Sequence, residues 1–395
     1  MAKTTTYFLI LLPVFITGCS SDKHAKDELA CIEVSTTYPE KEIILTDIAD
    51  VAYVHLNTED DDYLYKDFVR CITENTFIVP DEVSGSILFF SRDGNPKSRF
   101  NHYGAGPQEY LAKGRNLKLF YNEFSDDVYV SRSNIIQVYS STGEYRKTLK
   151  LPQGTQLKCM IDLDDESFFL YDDRISWNKN LYKRLGDNKY FVPQYDNDSS
   201  YFRISKTDGK VLDYLIFPTN DIDMIQPLNE GSIFHQHSTM EKCDAGVFIC
   251  RCDLDTVFLY GKDKSLTPVF CKTPLVSDIG PMTILYEFVE ISSYQFFCVR
   301  TTYERPPHWK DDYYFRNKQT GEIFRQKIIL PDYKGKDFFI NNILSFNEKE
   351  AVFPLLLHEL KQAYHEDKLS GKLKELVATL NEYDDNDVFM LVNFK

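Results

Sequence analysis

Apolar and β-branched residues occur in short runs along most of the chain, and turn-forming residues separate the runs. The segment 115–151 shows the pattern clearly, with "LKLFYNE", "VYVSR", "IIQVYSS" and "EYRKTLKLP" divided by an acidic turn, a polar pair and a Thr-Gly turn. Short runs bounded by such residues predict β-strands. Four strands in a segment of this length correspond to one blade of a β-propeller.

Six such units follow one another, at 67–101, 115–151, 158–218, 222–274, 283–330 and 338–395. Four of them have a glycine at the turn between the third and fourth strands, namely Gly94, Gly143, Gly209 and Gly321. Glycine supplies the positive φ that tight hairpin turns require. The repetition of one turn at one place in the unit predicts a repeat architecture.

The last unit lacks an outer strand after Lys395, whereas the segment 43–56, "IILTDIADVAYVHL", precedes the first unit and is left over. Propellers remove their exposed strand edges by closing the ring. The sequence therefore predicts an all-β fold, a six-bladed β-propeller over 43–395 that is closed by an N-terminal strand. Within the last blade, the helical spacing of 355–380, interrupted at Ser370-Gly371, predicts two short inserted helices.

The N-terminus has the features of an export signal. Lys3 precedes an apolar core, Tyr7–Thr17, that is too short for a stable membrane span. The following Ile16-Thr17-Gly18-Cys19 resembles the bacterial lipobox, in which the cysteine thiol receives a diacylglycerol and becomes the new N-terminus. The resemblance implies a signal peptide over 1–18, lipidation at Cys19, and a tether and N-terminal extension over 19–42.

Two acyl signals on one cysteine would anchor the protein stably in a membrane. Ser20 is compatible with sorting to the outer membrane, and the side of that membrane stays open. The alternative is a plain secretion signal with an incidental cysteine. Beyond residue 20, no apolar run reaches the ~20 residues that a membrane helix needs.

The net charge of the chain argues against two classes of partner. The chain has 60 acidic and 45 basic residues, a net charge of −15, and no basic run. Nucleic acid and anionic membrane surfaces are therefore poor partners, because both require clustered lysine and arginine, and no nucleic acid is expected to bind. The aromatic share of 14% favours β-structure, since aromatic side chains suit half-buried pleated surfaces.

The eight cysteines besides Cys19 lie mostly in apolar strand-like runs and are interpreted as buried thiols. One disulfide near Cys243–Cys252 is left open. The Cys250-x-Cys252 spacing lacks the C-x-x-C geometry of redox or zinc sites, and no second pair completes a tetrahedral set. No cofactor is expected. His235 and His237 would share one face of a strand and are weak metal candidates. Paired surface or core histidines are the favoured interpretation.

The segment 102–110, "HYGAGPQEY", carries a second resemblance. Gly104, Gly106, Pro107, Glu109 and Tyr110 fit the G-x-G-P-x-E-Y-like loop that follows the first blade in the six-bladed β-propeller lipoproteins of Gram-negative bacteria, which are NHL-like in architecture. The resemblance implies a fold and a compartment but no catalytic residues. We interpret the loop as a rigid link between blades, with an anion cradle as the alternative.

The most informative departures from the repeat are three insertions, at 172–200, 301–312 and 355–380. All interrupt the link between the second and third strands, so they should gather over one mouth of the ring. The candidate ligand-binding residues there are Trp177, Trp309, Arg174, Arg305 and His308. Tryptophan and arginine are enriched at binding hot spots. The alternative is that these aromatics only pack the insertions down.

Three hypotheses for function follow. The first is a lipid-anchored envelope propeller that binds a glycan, peptide or protein partner on one face and has no enzymatic activity. The second is a propeller-type hydrolase or lyase, with or without a metal held by His235 and His237. The third is a structural subunit of an envelope complex. No G-x-S-x-G elbow or H-E-x-x-H motif is present, so no common hydrolase site is visible.

Overall fold

Six β-sheets follow one another around a ring, as the repeat predicted. The computed structural model describes residues 29–58, 61–66, 69–111, 113, 117–132, 134–172, 183–185, 189–191, 201–215, 227–228, 232–233, 238–251, 254–275, 283–303, 309–341, 344 and 347–395. The prediction of an all-β, six-bladed propeller is confirmed.

Three strands near the N-terminus each join a blade that is distant in sequence. They are β1 (Cys31–Glu33), β2 (Glu40–Ile44) and β3 (Ala49–His55), with a single helical turn, α1 (Leu45–Ile48), between the last two. Strand β3 pairs with the last strand of the chain and closes the sixth blade, as predicted. Strands β1 and β2 add a fifth, parallel strand to the outer edges of the fourth and fifth blades.

The first two blades are regular four-stranded antiparallel sheets. A 3-10 turn at Asp61–Tyr63 precedes the first blade. Its strands are β4 (Cys71–Ile72), β5 (Thr76–Pro80), β6 (Ile87–Ser91) and β7 (Pro96–Phe100). The second blade contains β8 (Leu119–Asn122), β9 (Asp127–Arg132), β10 (Ile135–Tyr139) and β11 (Tyr145–Lys150). In each blade the strand order from the ring centre outward is the order in sequence.

The third and fourth blades are each accompanied by a short strand pair. The third contains β12 (Leu157–Asp162), β13 (Ser167–Asp172), β16 (Tyr201–Ser205) and β17 (Val211–Leu215), with the pair β14 (Lys183–Leu185) and β15 (Lys189–Phe191) between its second and third strands. The pair β18 (Pro227–Leu228) and β19 (Ser232–Ile233) precedes the fourth blade, which contains β20 (Ser238–Cys243), β21 (Gly246–Arg251), β22 (Thr256–Gly261) and β23 (Leu266–Thr273).

The fifth blade has the longest strands, and the sixth carries the two predicted helices. The fifth blade has the long strands β24 (Thr283–Ile291), β25 (Tyr294–Thr302), β26 (Trp309–Asn317) and β27 (Ile323–Ile329). The sixth has β28 (Glu350–Leu355) and β29 (Val388–Phe394), with Leu344 bridging Val352 on its inner side. Helices α2 (Leu357–His365) and α3 (Gly371–Thr379) lie between β28 and β29, and their buried residues join the core between the last two blades.

Separate apolar cores lie between neighbouring blades, and the one between the sixth and first blades closes the ring. There Phe389 stacks on Phe77 with ring centroids 5.9 Å apart, beside Val352 and Val79. Because both faces of a blade are covered, strands such as β5 are buried at every position. Among the residues that the structure describes, no helix has the length and apolar character of a membrane span.

Chain direction alternates from strand to strand, so the links between second and third strands leave the ring on the same face. Those links are 173–200 in the third blade, 303–308 in the fifth and 356–387 in the sixth, and we name this side the insertion-bearing face. The link 330–341, from the fifth blade to the sixth, lies on it as well. The four repeated glycines lie on the opposite face, and all have positive φ, as predicted.

Candidate functional site

Trp309 is the one predicted ligand-binding residue that lies among the described residues. It begins β26, next to the insertion 303–308, and its side chain is 51% exposed. Trp177, Arg174, Arg305 and His308 lie outside the described residues, so their approach to Trp309 stays a prediction.

Arg300 organises the side chains around Trp309. It lies on β25 directly opposite Asp311 on β26, and two hydrogen bonds of 2.6 and 2.7 Å join its Nε and one terminal nitrogen to the two carboxylate oxygens. Its guanidinium carbon is 3.4 Å from the ring centroid of Tyr286 and 5.5 Å from that of Trp309. A two-point carboxylate bond fixes the guanidinium plane, so its contacts with both rings are held in place. We name Tyr286, Arg300, Trp309 and Asp311 the Arg300 cluster.

Glu287 follows Tyr286 of the Arg300 cluster on β24, the innermost strand of the fifth blade. Burial raises the pKa of Glu287, and Asn341 opposes this rise by donating a hydrogen bond of 3.1 Å to Glu287 Oε2. On the neighbouring inner strand, β20, burial and then the charge of Glu287 raise the pKa of Glu241 to about 8. At neutral pH Glu241 is therefore largely protonated.

Basic residues accompany the innermost strands of the first three blades: Arg70 and Lys118 directly precede β4 and β8, and Lys158 lies on β12. Burial lowers the pKa of Lys118, and the nearby cations Lys158 and Arg70 lower it further. The centre of the ring is thus cationic along the first three blades and carboxyl-lined along the fourth and fifth. Such a polarised lining favours polar ligands over apolar ones.

A cavity of about 900 Å³ opens beside the Arg300 cluster on the insertion-bearing face. Its walls come from β26, from the end of β27, from the link 331–339 and from the turn 367–370 between the two helices. Tyr313 and Phe339 stack inside it with ring centroids 4.4 Å apart. Asp311 lines the cavity as well and so joins it to the Arg300 cluster.

The Gly104–Tyr110 loop is held between the first two blades. Gly106 N–H donates to Glu109 Oε2 at 2.6 Å, and the Tyr110 hydroxyl donates to the carbonyl oxygen of Gly85 in the first blade at 2.7 Å. From the second blade, Gln137 donates to the carbonyl oxygen of Pro107 at 2.7 Å. These contacts link the two blades and occupy the Gly106 amide that an anion would need.

The disulfide among the described residues corrects the sequence interpretation. It joins Cys31 of β1 to Cys271 of β23, whereas Cys243 and Cys250 are free thiols. The parallel pairing of β1 with β23 puts Cys31 directly opposite Cys271. The bond left open near Cys243–Cys252 is not formed by Cys243 or Cys250, and Cys252 lies outside the described residues.

Within the described ranges, no group of three or more His, Cys, Asp or Glu side chains is placed to hold a metal ion. His235 and His237 lie outside those ranges, so their weak candidacy as metal ligands stays untested.

Sequence reasoning missed Arg300, Asp311, Glu241 and Glu287. The available signal was a polar residue within an otherwise apolar inner strand, such as Glu287 in "TILYEFVEI". That signal marks a residue facing the ring centre, but it does not say which charges meet there.

Comparisons with solved structures agree with the fold. A crystal structure described as an exported protein of Bacteroides fragilis matches with 15% sequence identity and a TM-score of 0.63, covering 93% of this chain and 100% of that one. A protein of unknown function from Bacteroides caccae matches at 9% identity and TM-score 0.34, covering 65% and 80%. Virginiamycin B lyase from Staphylococcus aureus matches at 10% and 0.33, covering 70% and 98%. The last two likenesses are too distant to bear on function.

No curated protein matches the chain. The family model described as a 6-bladed beta-propeller matches residues 20–236, which is more than half of the sequence. Its match ends before the fourth blade, and the remaining three blades follow in the structure. The chain belongs to this family of six-bladed β-propellers, DUF5128.

Proposed function

We propose that this chain is a lipid-anchored cell-envelope protein whose propeller binds a glycan, peptide or protein partner on the insertion-bearing face, without catalysis. The observation that carries the proposal is the Arg300 cluster. Its guanidinium group is held by Asp311 and lies 5.5 Å from the half-exposed Trp309 ring, and Asp311 also lines the neighbouring cavity. Rings and guanidinium groups fixed before binding lose little entropy when a ligand arrives. Trp177, Arg174, Arg305 and His308 belong to the same proposed surface.

The anchor is proposed from the sequence. Lipidation at Cys19 would place the propeller at the outer membrane, and the polar stretch after Cys19 would separate the ring from the lipid. The Bacteroides fragilis protein of similar fold is described as exported, which agrees with an envelope location. Metabolic labelling with radioactive palmitate tests the anchor: the full chain should take up label and Cys19→Ala should not. Equal labelling of both proteins would contradict it.

Binding is tested by thermal unfolding of the full chain with oligosaccharides, peptides and divalent metals, with a chelator control. A ligand that binds only the folded state must raise the melting temperature. We expect Trp309→Ala to lose the shift and Phe124→Ala to keep it. Phe124 is a matched control, because it is a fully exposed aromatic on the opposite face, between β8 and β9.

If Trp309→Ala keeps the full shift, the ligand does not bind at the Arg300 cluster. A shift that needs a metal and disappears with the chelator would instead favour the metal-assisted enzyme and direct attention to His235 and His237.

A further inference from the structure

We infer that the cavity beside the Arg300 cluster binds a neutral oligosaccharide, with one sugar ring packed against Phe339. The inference rests on the proposed function, because it names the class of ligand for the same face. The cavity volume of about 900 Å³ lies within the range of ligand sites, ~300–1,000 Å³.

The cavity is built by a divergence of two strands. Strands β26 and β27 pair only over Tyr314–Arg316 and Ile323–Arg325 and then separate. Gln326 spans the gap, since its Nε2 donates to the carbonyl oxygen of Tyr314 at 2.8 Å and its Oε1 accepts from Ile340 N–H at 3.0 Å. The link 331–341 is therefore fixed as one wall of the opening.

The turn 367–370 of the two-helix insertion forms a second wall, and backbone hydrogen bonds to the link fix it. Lys334 N–H donates to the carbonyl oxygen of Lys368 at 2.8 Å, and Ser370 N–H donates to that of Asp332 at 3.1 Å. Because hydrogen bonds within the protein fix both walls, one through the Gln326 side chain and one through backbone groups, the cavity exists before a ligand enters, and binding requires little reordering.

Aromatic rings form part of the lining. Phe339 is 37% exposed and stacks on Tyr313 at an interplanar angle of 23°. The adjacent Phe338 packs edge-on against Phe353 in the core, with centroids 4.8 Å apart, and holds this part of the link down. A sugar ring presents a face of C–H groups that packs against an aromatic face, while its hydroxyl groups point sideways to polar partners.

The charges of the lining favour a neutral ligand. Five carboxylates and five cationic side chains line the cavity: Glu40, Asp311, Asp312, Asp337 and Asp367, with Arg325, Lys327, Lys334, Lys336 and Lys368. Several are paired with each other, such as Arg325 with Asp312 at 3.2 Å and Lys327 with Glu40 at 3.3 Å. A ligand of either sign would meet equal numbers of like and opposite charges.

Hydroxyl groups suit this mixed lining because each one both donates and accepts. One hydroxyl can donate to a carboxylate and accept from a lysine ammonium without breaking the ion pairs already present. The balance of charge and the exposed aromatic ring together distinguish a neutral sugar from an acidic sugar or a charged peptide.

The test is calorimetric titration of the detergent-solubilised full chain with neutral hexasaccharides of α-1,4-glucose, β-1,4-glucose, β-1,4-mannose and β-1,4-xylose. An oligogalacturonate and a lysine-rich peptide serve as charged comparisons. We expect at least one neutral hexasaccharide to bind the unaltered protein. Its affinity for Phe339→Ala should be about tenfold weaker, and its affinity for the matched control Phe124→Ala should be unchanged. Phe339→Trp should keep most of the affinity, and added salt should change it little.

Asp337→Ala is a second variant, on an exposed side chain, and should weaken binding severalfold. If no neutral hexasaccharide binds, or if Phe339→Ala and Asp337→Ala both bind normally, the inference is overturned. If only the oligogalacturonate or the peptide binds, and Trp309→Ala weakens it, the sugar class is wrong while the proposed binding face stands. Binding that neither Trp309→Ala nor Phe339→Ala changes would overturn both proposals.

Discussion

A methyl group added at Gly94 would overlap the carbonyl oxygen of His55. Gly94 lies in the turn between the third and fourth strands of the first blade, and His55 ends β3, the strand that closes the sixth. At the same place, the carbonyl oxygen of Gly94 accepts a hydrogen bond of 2.8 Å from Asn57 N–H. The seam where the ring closes therefore depends on a backbone approach that only glycine permits.

We expect Gly94→Ala to lower the free energy of unfolding by about 3 kcal/mol or more. It combines the ~1–2 kcal/mol cost of positive φ with the collision at His55. Gly321→Ala is the matched control, because Gly321 also has positive φ but only the Arg316 guanidinium, 3.9 Å away, lies near its Cβ position. It should cost about 1 kcal/mol. Urea denaturation measures both, and equal losses would mean that the seam tolerates a methyl group.

The blades could be predicted because their signals are local. Each hairpin carries its own turn residues, so Gly94 and Gly143 marked the same position in successive units before any contact was known. The closing strand could be predicted because the segment 43–56 had no blade of its own and the last blade lacked an outer strand. A closed ring requires the first to complete the second. The predicted segment 43–56 is divided by α1, which carries the chain from the fifth blade to the sixth.

The added strands β1 and β2 could not be predicted, because each pairs in parallel with a strand far away in sequence. Nothing in the local pattern of "CIE" marks it as an edge strand, and the Cys31–Cys271 bond follows from that pairing. The Arg300 cluster is of the same kind. Arg300 and Asp311 are ordinary charged residues until the register of β25 and β26 puts them opposite each other.

Lys272 and Asp255 form a buried ion pair in the fourth blade, with Nζ and Oδ1 2.6 Å apart and side chains 0% and 6% exposed. We expect Asp255→Asn to cost about 3–5 kcal/mol of unfolding free energy, because it leaves a buried ammonium without its counter-charge. Asp208→Asn breaks the exposed Lys210–Asp208 pair and should cost ~1 kcal/mol or less. Chemical denaturation of both variants tests this, and a small loss for Asp255→Asn would mean that water reaches Lys272.

The raised pKa of Glu241 makes stability depend on pH. The folded protein holds the Glu241 proton up to about pH 8, whereas the unfolded chain releases it near pH 4.5. Between those values the folded state binds more protons, so this group's contribution to stability falls as pH rises and levels off above pH 8. Glu241→Gln should therefore melt at a higher temperature than the unaltered protein at pH 8 and close to it at pH 4.

Glu144→Gln, at an exposed position in the turn before β11, is the control and should follow the unaltered protein at both pH values. Melting curves of both variants and of the unaltered protein, recorded from pH 4 to pH 8, test this prediction. A Glu241→Gln curve parallel to that of the unaltered protein would show that the pKa of Glu241 is the same in the folded and unfolded states, with solvent inside the ring.

The Cys31–Cys271 disulfide ties β1 to a strand 240 residues away. A cross-link of that span restricts the unfolded chain strongly, and oxidising compartments preserve such bonds. We expect Cys31→Ser to lower the free energy of unfolding by about 2–5 kcal/mol. Dithiothreitol should destabilise the unaltered protein by the same amount and leave Cys31→Ser unchanged. If the reductant lowers both melting temperatures equally, another pair of cysteines carries the bond, and peptide mapping without reduction would identify it.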